Sequence, residues 1–248
     1  MRTQGFSEEL MLRLPDNQMD VRNRLLRSLP PNDYERLKPH LQAVKLELGE
    51  VLCEAGMPLP YAWFVTKGIA SLVSTTTDGN TIEVGMVGNE GVVGLPVLLR
   101  GESLPYRVNM QLAGEALRVP MSVLREEFSC NSALHKLFLR YTFAVIVQFT
   151  QSGVCNHFHT IEERLCRWLL ILHDHAQSET VNLTQELIAE MLGVRRSGVT
   201  LVASTLQRAG LISYRRGRIT ILNREAIEGS ACECYRIVKD EFEQLFAI

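Results

Sequence analysis

The chain has 248 residues, of which 46% are hydrophobic and 22% charged, with a net charge of −2. That length and balance fit a globular protein with room for two domains. No apolar run is long enough to span a bilayer and no signal-peptide core opens the chain, so a cytoplasmic protein without a membrane partner is expected.

Residues 1–22 are polar, lack sustained periodicity and read as a tail. From Asn23 the pattern NRLLRSLPPNDYERLKPHL predicts two short helices. Pro30-Pro31 breaks the first, and Asn32 or Asp33 is placed to cap the second. Residues 44–119 change character. Val44, Leu46 and Leu48 alternate with polar residues, and short apolar runs follow at 51–53, 61–65, 69–73 and 81–84. Gly56, Lys67-Gly68, Asp78-Gly79 and Gly85 separate them, and 107–112 and 116–119 read as closing strands. Many short strands with glycine turns predict a sandwich or barrel, and Asp78-Gly79 is its best hairpin signal.

Residues 131–158 carry the longest helical pattern. Leu134, Phe138, Tyr141, Val145, Gln148, Ser152 and Cys155 form a seam at alternating spacings of four and three. Leu137, Phe143, Ala144, Ile146, Val147 and Phe149 make other faces apolar as well. Such a helix needs cover on more than one side, and self-association through the seam is the economical arrangement. Thr160 and Glu163 match a capping box ahead of LCRWLLIL, which starts a new helix and sets a domain boundary near His159.

Gln185–Leu192 is a short helix pattern, with Leu187, Ile188, Met191 and Leu192 apolar. Gly193 stands where a left-handed residue ends a helix. A second helix is predicted from about Arg196 to Arg208, with Val199, Val202 and Leu206 on one side and the small Ala189 at the crossing. A strand from Gly210, a basic turn at 215–218 and a return strand at 219–222 complete a wing. Helix, glycine turn, helix and basic hairpin form a winged helix-turn-helix, whose second helix can enter a major groove. Residues 184–222 hold six arginines (195, 196, 208, 215, 216, 218) against Glu186 and Glu190, both assigned away from the reading surface. This local basicity on an acidic chain is an electrostatic footprint for nucleic acid. A further helical extension is expected over 224–246.

The motifs together resemble the Crp–Fnr superfamily of bacterial transcription regulators over nearly the whole length. The residues that carry the resemblance are Gly49-Glu50-Val51-Leu52, Gly56, Gly68, Asp78-Gly79, Gly94 and the block TQELIAEMLGVRRSGVTLVASTLQRAGLI. It implies an α+β chain: a β jelly-roll of the cyclic-nucleotide-binding type over 23–128, a dimerisation helix over 129–158, and a winged helix-turn-helix domain with its extension over 159–248. It implies a homodimer on a two-fold-symmetric operator whose affinity changes with a signal; RNA polymerase is a further candidate partner. The dimer interface is assigned to Leu134, Phe138, Tyr141, Val145, Gln148 and Ser152. DNA contacts are assigned to Thr184, Arg195, Arg196, Ser197, Thr200, Arg215, Arg216 and Arg218. Arg196 matches an arginine that reads guanine in the family. Position 197 is Ser where the well-known members carry Glu, and position 201 is Leu where they carry Arg.

The effector pocket is assigned to Gly94, Leu95, Tyr106 and Arg107. Members that bind cyclic AMP hold the ribose and phosphate with Gly-Glu and Arg-Ser pairs. Here Leu95 follows Gly94, and the second pair falls on Leu104-Pro105 or Pro105-Tyr106, so side-chain charge for a phosphate is missing there. Arg107 would need a shift of register. The redox-sensing branch has an N-terminal cysteine cluster, whereas the first cysteine here is Cys53. No histidine or cysteine is placed as a haem ligand, and no cofactor is assigned.

The six cysteines (53, 130, 155, 166, 232, 234) lack CxxC spacing, and Cys232-Glu233-Cys234 falls short of a ligand set. They read as reduced, buried thiols. His157-Phe158-His159 with Glu163 matches the spacing of a cupin metal site, which makes a metal-dependent enzyme the rival from another class. Those ligands fall beside a helix cap, outside a β region that has no histidine, so no metal site and no catalytic residue is assigned. His173 and His175 are read as surface residues, and Trp63 and Trp168 as core. A third reading is a ligand-independent DNA-binding protein whose β domain only scaffolds.

Overall fold

Strand β1 (Met11–Leu12) and a 3-10 turn at Gln18–Asp20 lie within the segment read as a tail. The computed structural model describes residues 11–99, 101–130, 133–176 and 179–247; the rest of the tail, 1–10, lies outside them. Gln18 Nε2 donates to the carbonyls of Leu26 and Leu29 at 3.0 and 2.8 Å, which ties the segment to helix α1 (Arg24–Arg27). Asn23 caps α1 through a bond from Leu26 N, and its buried Nδ2 donates to Val65 and Gly91, both at 2.8 Å. A buried amide so fully bonded costs little and fixes one geometry. Helix α2 (Pro31–Leu37) has Pro31 at its first position, where a missing N–H is no loss. Neither Asn32 nor Asp33 caps it, contrary to the sequence expectation. Asp33 instead accepts from Leu134 N at 3.1 Å and pairs with Arg36.

Next come β2 (Gln42–Leu46), β3 (Val51–Cys53), β4 (Tyr61–Thr75), β5 (Thr81–Val87) and β6 (Val92–Val93). The short helix α3 (Leu95–Leu98) precedes β7 (Arg107–Pro120), which runs into α4 (Met121–Ser129). The sheet runs β1-β2-β7-β4-β5, with β3 on β7 and β6 on β4. The sequence divides β4 at Lys67-Gly68 and β7 around Gly114, yet both strands run through. Gly68 has φ +82°, and a Cβ there would lie 2.5 Å from the Leu112 carbonyl oxygen. A Cβ on Gly114 would lie 1.8 Å from the Lys67 oxygen. These glycines let two backbones approach within a sheet; they do not turn the chain. Asp78-Gly79 does turn it, with Thr76 N donating to Asn80 O at 2.9 Å.

Helix α5 (Ala133–Phe158) leads to α6 (Ile161–His175), whose N-terminus carries the capping box of Thr160 and Glu163. A short strand β8 (Thr180–Asn182) then precedes α7 (Gln185–Leu192) and α8 (Arg196–Arg208). Strands β9 (Ile212–Arg215) and β10 (Arg218–Ile221) form the wing, and β8 adds to it in the order β8-β10-β9. The extension is two helices, α9 (Arg224–Ser230) and α10 (Cys234–Leu245).

By packing, the chain divides into two units. One holds the chain up to Ala70 with Val87–Leu104 and Asn109–Leu139. The other holds Ser71–Met86, Pro105–Val108 and everything from Arg140. The β4–β5 hairpin therefore packs with the helix-turn-helix, which a boundary near residue 159 does not anticipate.

The seam on α5 needs correcting. Leu134, Phe138, Tyr141, Gln148, Ser152 and Cys155 are buried within the single chain, and Val145 is half-buried. Phe138 meets Phe64 edge-on, Tyr141 packs on Phe242, and Gln148 Oε1 accepts from Met86 N at 2.9 Å. Apart from Val145, these side chains serve the core of the subunit. The open apolar residues are Leu139, Phe143, Ile146, Val154 and Phe158, exposed by 49, 57, 55, 36 and 74%. Trp63 and Trp168 are buried, as expected of core residues.

Candidate nucleic-acid interface

Thr184 caps α7, its hydroxyl accepting from Leu187 N at 3.2 Å. Gly193 ends α7 at φ +62°, and Ala189 is buried. Val199 and Leu206 bury the inner side of α8 as expected, and Ala203 takes the place of Val202, which is only half-buried. That leaves Arg196, Ser197, Thr200 and Leu201 exposed, with Arg195 at the N-cap. The wing turn places Arg216 and Gly217 at φ +51° and +73°, both positive as in a two-residue type I′ turn. Arg215, Arg216 and Arg218 are all exposed there.

Thr184, Gln185, Glu186, Arg196, Tyr214, Arg216 and Gly217 line one open cleft of about 420 Å³. Five assigned residues thus gather on one surface: Thr184, Arg196 and Arg216 in the cleft, Ser197 and Thr200 beside it. Thr200 Oγ1 donates to Gln185 Oε1 at 2.8 Å, which joins the two helices. Glu186 is not remote from this surface. Its carboxylate pairs with Arg196 Nη1 at 2.7 Å, both side chains well exposed. An exposed pair of this kind is worth little, so it can orient Arg196 without holding it back from a better acceptor. Leu201, exposed by 67%, is an apolar group on the same side of α8 that the DNA-contact assignment does not include.

The β4–β5 hairpin meets the same unit. Ile82 packs on Gly193, where an added Cβ would come within 2.8 Å of its Cδ1. The Glu83 carboxylate accepts from Trp168 Nε1 at 3.0 Å and makes a short hydrogen bond with Ser71. Ser71 Oγ also lies 3.6 Å from Met191 Sδ on α7. Part of Glu83 remains exposed, but its carboxyl is enclosed, and burial raises its pKa to about 7 against the opposing Ser71, Trp168 and Arg167. A protonated Glu83 would donate to Ser71 and free that hydroxyl for Met191.

The residues of the effector assignment are divided between the two units. Gly94 and Leu95 belong to the first unit; Tyr106 and Arg107 belong to the second. Leu95 is buried, and Gly94 has φ +119° with Met121 and Leu59 where a Cβ would go. Tyr106 packs edge-on against Phe149, and Arg107 is exposed. In the first unit, the side-chain amide of buried Gln111 has no hydrogen-bond partner at either atom. The sequence reading passed over Gln111, since one glutamine within a strand pattern carries no motif.

The cupin-like spacing does not converge either. Glu163 is consumed by the capping box, and His157 packs against Phe158. His159 turns instead toward Cys234, 3.6 Å away. His173 is half-buried and lies 2.7 Å from Arg224.

A model of the cyclic nucleotide-binding domain matches residues 43–130, and one of the Crp-like helix-turn-helix domain matches residues 163–229. A nucleotide-binding-type β domain joined to a DNA-binding module defines a transcription regulator and not an enzyme. The chain belongs to the Crp–Fnr superfamily. The global nitrogen regulator of Synechococcus elongatus is 24% identical over 196 residues, 75% of this chain and 88% of that protein. The global nitrogen regulator of Nostoc is 27% identical over 175 residues, 67% of this chain and 78% of that protein. In fold, FixK2 from Bradyrhizobium japonicum superposes with a TM-score of 0.66 at 17% identity, covering 77% of this chain and 98% of its own. A regulator of the same family from Eubacterium rectale gives 0.63 at 17% identity, covering 86% and 97%. Among the described residues no helix is long and apolar enough to cross a membrane.

Proposed function

We propose that the protein is a cytoplasmic homodimer that binds a two-fold-symmetric site in double-stranded DNA and answers to a signal other than cyclic AMP. The observation that carries the DNA reading is the cleft in which Thr184, Arg196 and Arg216 meet. The N-terminal half of α8 reads bases. Arg196 forks onto guanine O6 and N7, Ser197 and Thr200 donate or accept, and Leu201 touches a thymine methyl. Arg195 and the wing arginines 215, 216 and 218 meet phosphates, and Thr184 sits at a helix N-terminus suited to another.

Arg196→Ala is expected to cost about 1–3 kcal/mol at the cognate site and relax preference at one base pair per half-site. Arg216→Ala is expected to weaken all duplexes alike and to make the salt slope shallower by about one unit. Titrations on cognate and scrambled duplexes at several salt concentrations separate these roles. Equal loss on both duplexes for Arg196→Ala would remove it from base reading.

Leu95 in place of a carboxylate, and the lack of arginine at 104–106, support a pocket unsuited to cyclic AMP. Each lost contact is worth on the order of 2–5 kcal/mol, enough together to take a micromolar ligand out of useful range. Calorimetry is expected to detect no binding of cyclic AMP or cyclic GMP. A micromolar dissociation constant abolished by Arg107→Ala would restore the family's usual contact through that residue.

Dimerisation is assigned to the exposed strip of α5, Phe143, Ile146, Val154 and Phe158, in place of the buried seam. The packing of Ile82 on Gly193 supports the β4–β5 hairpin as the element that carries a signal to the helix-turn-helix.

A further inference from the structure

Cys155 and His159 stand one turn apart at the end of α5, and Cys232 and Cys234 flank Glu233 at the start of α10. Folding brings them together although Cys155 and Cys232 are 77 residues apart in the chain. Their four ligand atoms all lie within 4.8 Å of one another, and the three cysteines are buried. Cys155 Sγ lies 3.5 Å from Cys232 Sγ, and Cys234 Sγ lies 3.6 Å from His159 Nδ1. A tetrahedral zinc ion with bonds of about 2.3 Å to sulfur and about 2.0–2.1 Å to nitrogen has edges of about 3.5–3.8 Å. An iron–sulfur cluster would hold its thiolates farther apart.

We propose that Cys155, His159, Cys232 and Cys234 bind a single structural zinc ion. Four protein ligands close the coordination sphere, which suits a structural site and leaves no position for catalysis. The surroundings are those such a site uses. His159 Nε2 lies 3.3 Å from a Glu233 carboxylate oxygen, so an N–H there is held by a carboxylate while Nδ1 faces the thiols. Three thiolates with one Zn²⁺ carry a net charge of −1, and Arg167 Nη1 lies 3.8 Å from Cys155 Sγ to balance it. The next arginine along α6, Arg164, is buried, bonds Asn156 Oδ1 at 2.8 Å and donates to the Leu192 carbonyl at the end of α7. The ion would pin the last turn of α5 to the extension beside the helix-turn-helix. All four ligands fall outside the two matched segments, 43–130 and 163–229, so neither domain model accounts for them.

The test is metal analysis of the full-length chain purified without a metal-affinity tag from zinc-supplemented cells. About one zinc per chain is expected, with a lowered melting temperature after chelation that zinc restores. Cobalt added to the stripped protein should give the visible bands of a tetrahedral ion and thiolate-to-cobalt charge transfer in the near ultraviolet. Cys234→Ser should lose stoichiometric zinc and His159→Cys should keep it. Cys166→Ser, another buried thiol outside the quartet, should keep it as well. If Cys234→Ser fails to fold, the cobalt spectrum of the unaltered chain still decides. Zinc-replete protein that holds no zinc and gives no cobalt spectrum, a Cys155–Cys232 disulfide in its place, or iron at one per chain would each overturn the proposal.

Discussion

Phe143→Asp and Ile146→Asp are expected to turn the protein into folded monomers that no longer bind DNA specifically. Both side chains lie more than half exposed on a helix whose opposite face is already buried in its own subunit. Placing an unpaired carboxylate in an apolar interface costs about 3–5 kcal/mol, and a two-fold axis counts each substitution twice. That exceeds what separates a micromolar dimer from a monomer under ordinary conditions. Tyr141→Asp should behave differently. Tyr141 is buried against Phe242 inside one subunit, so its carboxylate would unfold the domain and not merely part the dimer. Sedimentation with circular dichroism separates the outcomes. Unchanged dimers for Phe143→Asp and Ile146→Asp would move the interface off this strip.

Glu83→Gln is expected to be more stable than the native chain at pH 8 and about equal to it at pH 4.5. Burial holds the Glu83 pKa near 7 in the folded protein, well above its ordinary value of 4.5. The folded state therefore binds the proton more tightly than the unfolded chain. The stabilisation is fully present below the unfolded pKa and is lost as pH rises toward and through about 7. The shift corresponds to an order of 2–3 kcal/mol once the partial exposure of the residue is allowed for. A glutamine keeps the acceptor for Trp168 and the donor for Ser71 without the charge. Denaturant midpoints for both chains across pH 4.5–8 test this. Parallel curves with no convergence at low pH would show that folding does not raise the Glu83 pKa. Because Ser71 reaches Met191 and Ile82 rests on Gly193, the same substitution should flatten any pH dependence of DNA affinity over this range.

The DNA-binding half was legible in the sequence because its signals are local. Gly193 must adopt a left-handed conformation to end α7, and Thr160 with Glu163 must close a capping box; both did. The β half was legible as a class but not in its strands. Gly68 and Gly114 look like turn residues, and only the partner strand shows that they serve close approach. That most of the α5 seam is buried within the subunit was hidden for a related reason. A helix apolar on several faces has more than one stripe at spacings of four and three, and periodicity alone cannot tell which one the subunit itself covers. Glu186 was set aside from the reading surface because helix spacing does not show that its carboxylate reaches Arg196. The group of three cysteines and His159 was beyond reach for the plainest reason, since Cys155 and Cys232 are 77 residues apart in the chain and neither half is a metal motif.

Selection of bound duplexes from a random pool by the full-length protein tests the regulator reading most directly. The expected product is an inverted repeat with half-site centres about one helical turn, 10–10.5 base pairs, apart and a guanine in each half-site whose preference weakens with Arg196→Ala. Recovery of no enriched sequence, or of a single unrepeated element bound by one chain, would contradict it.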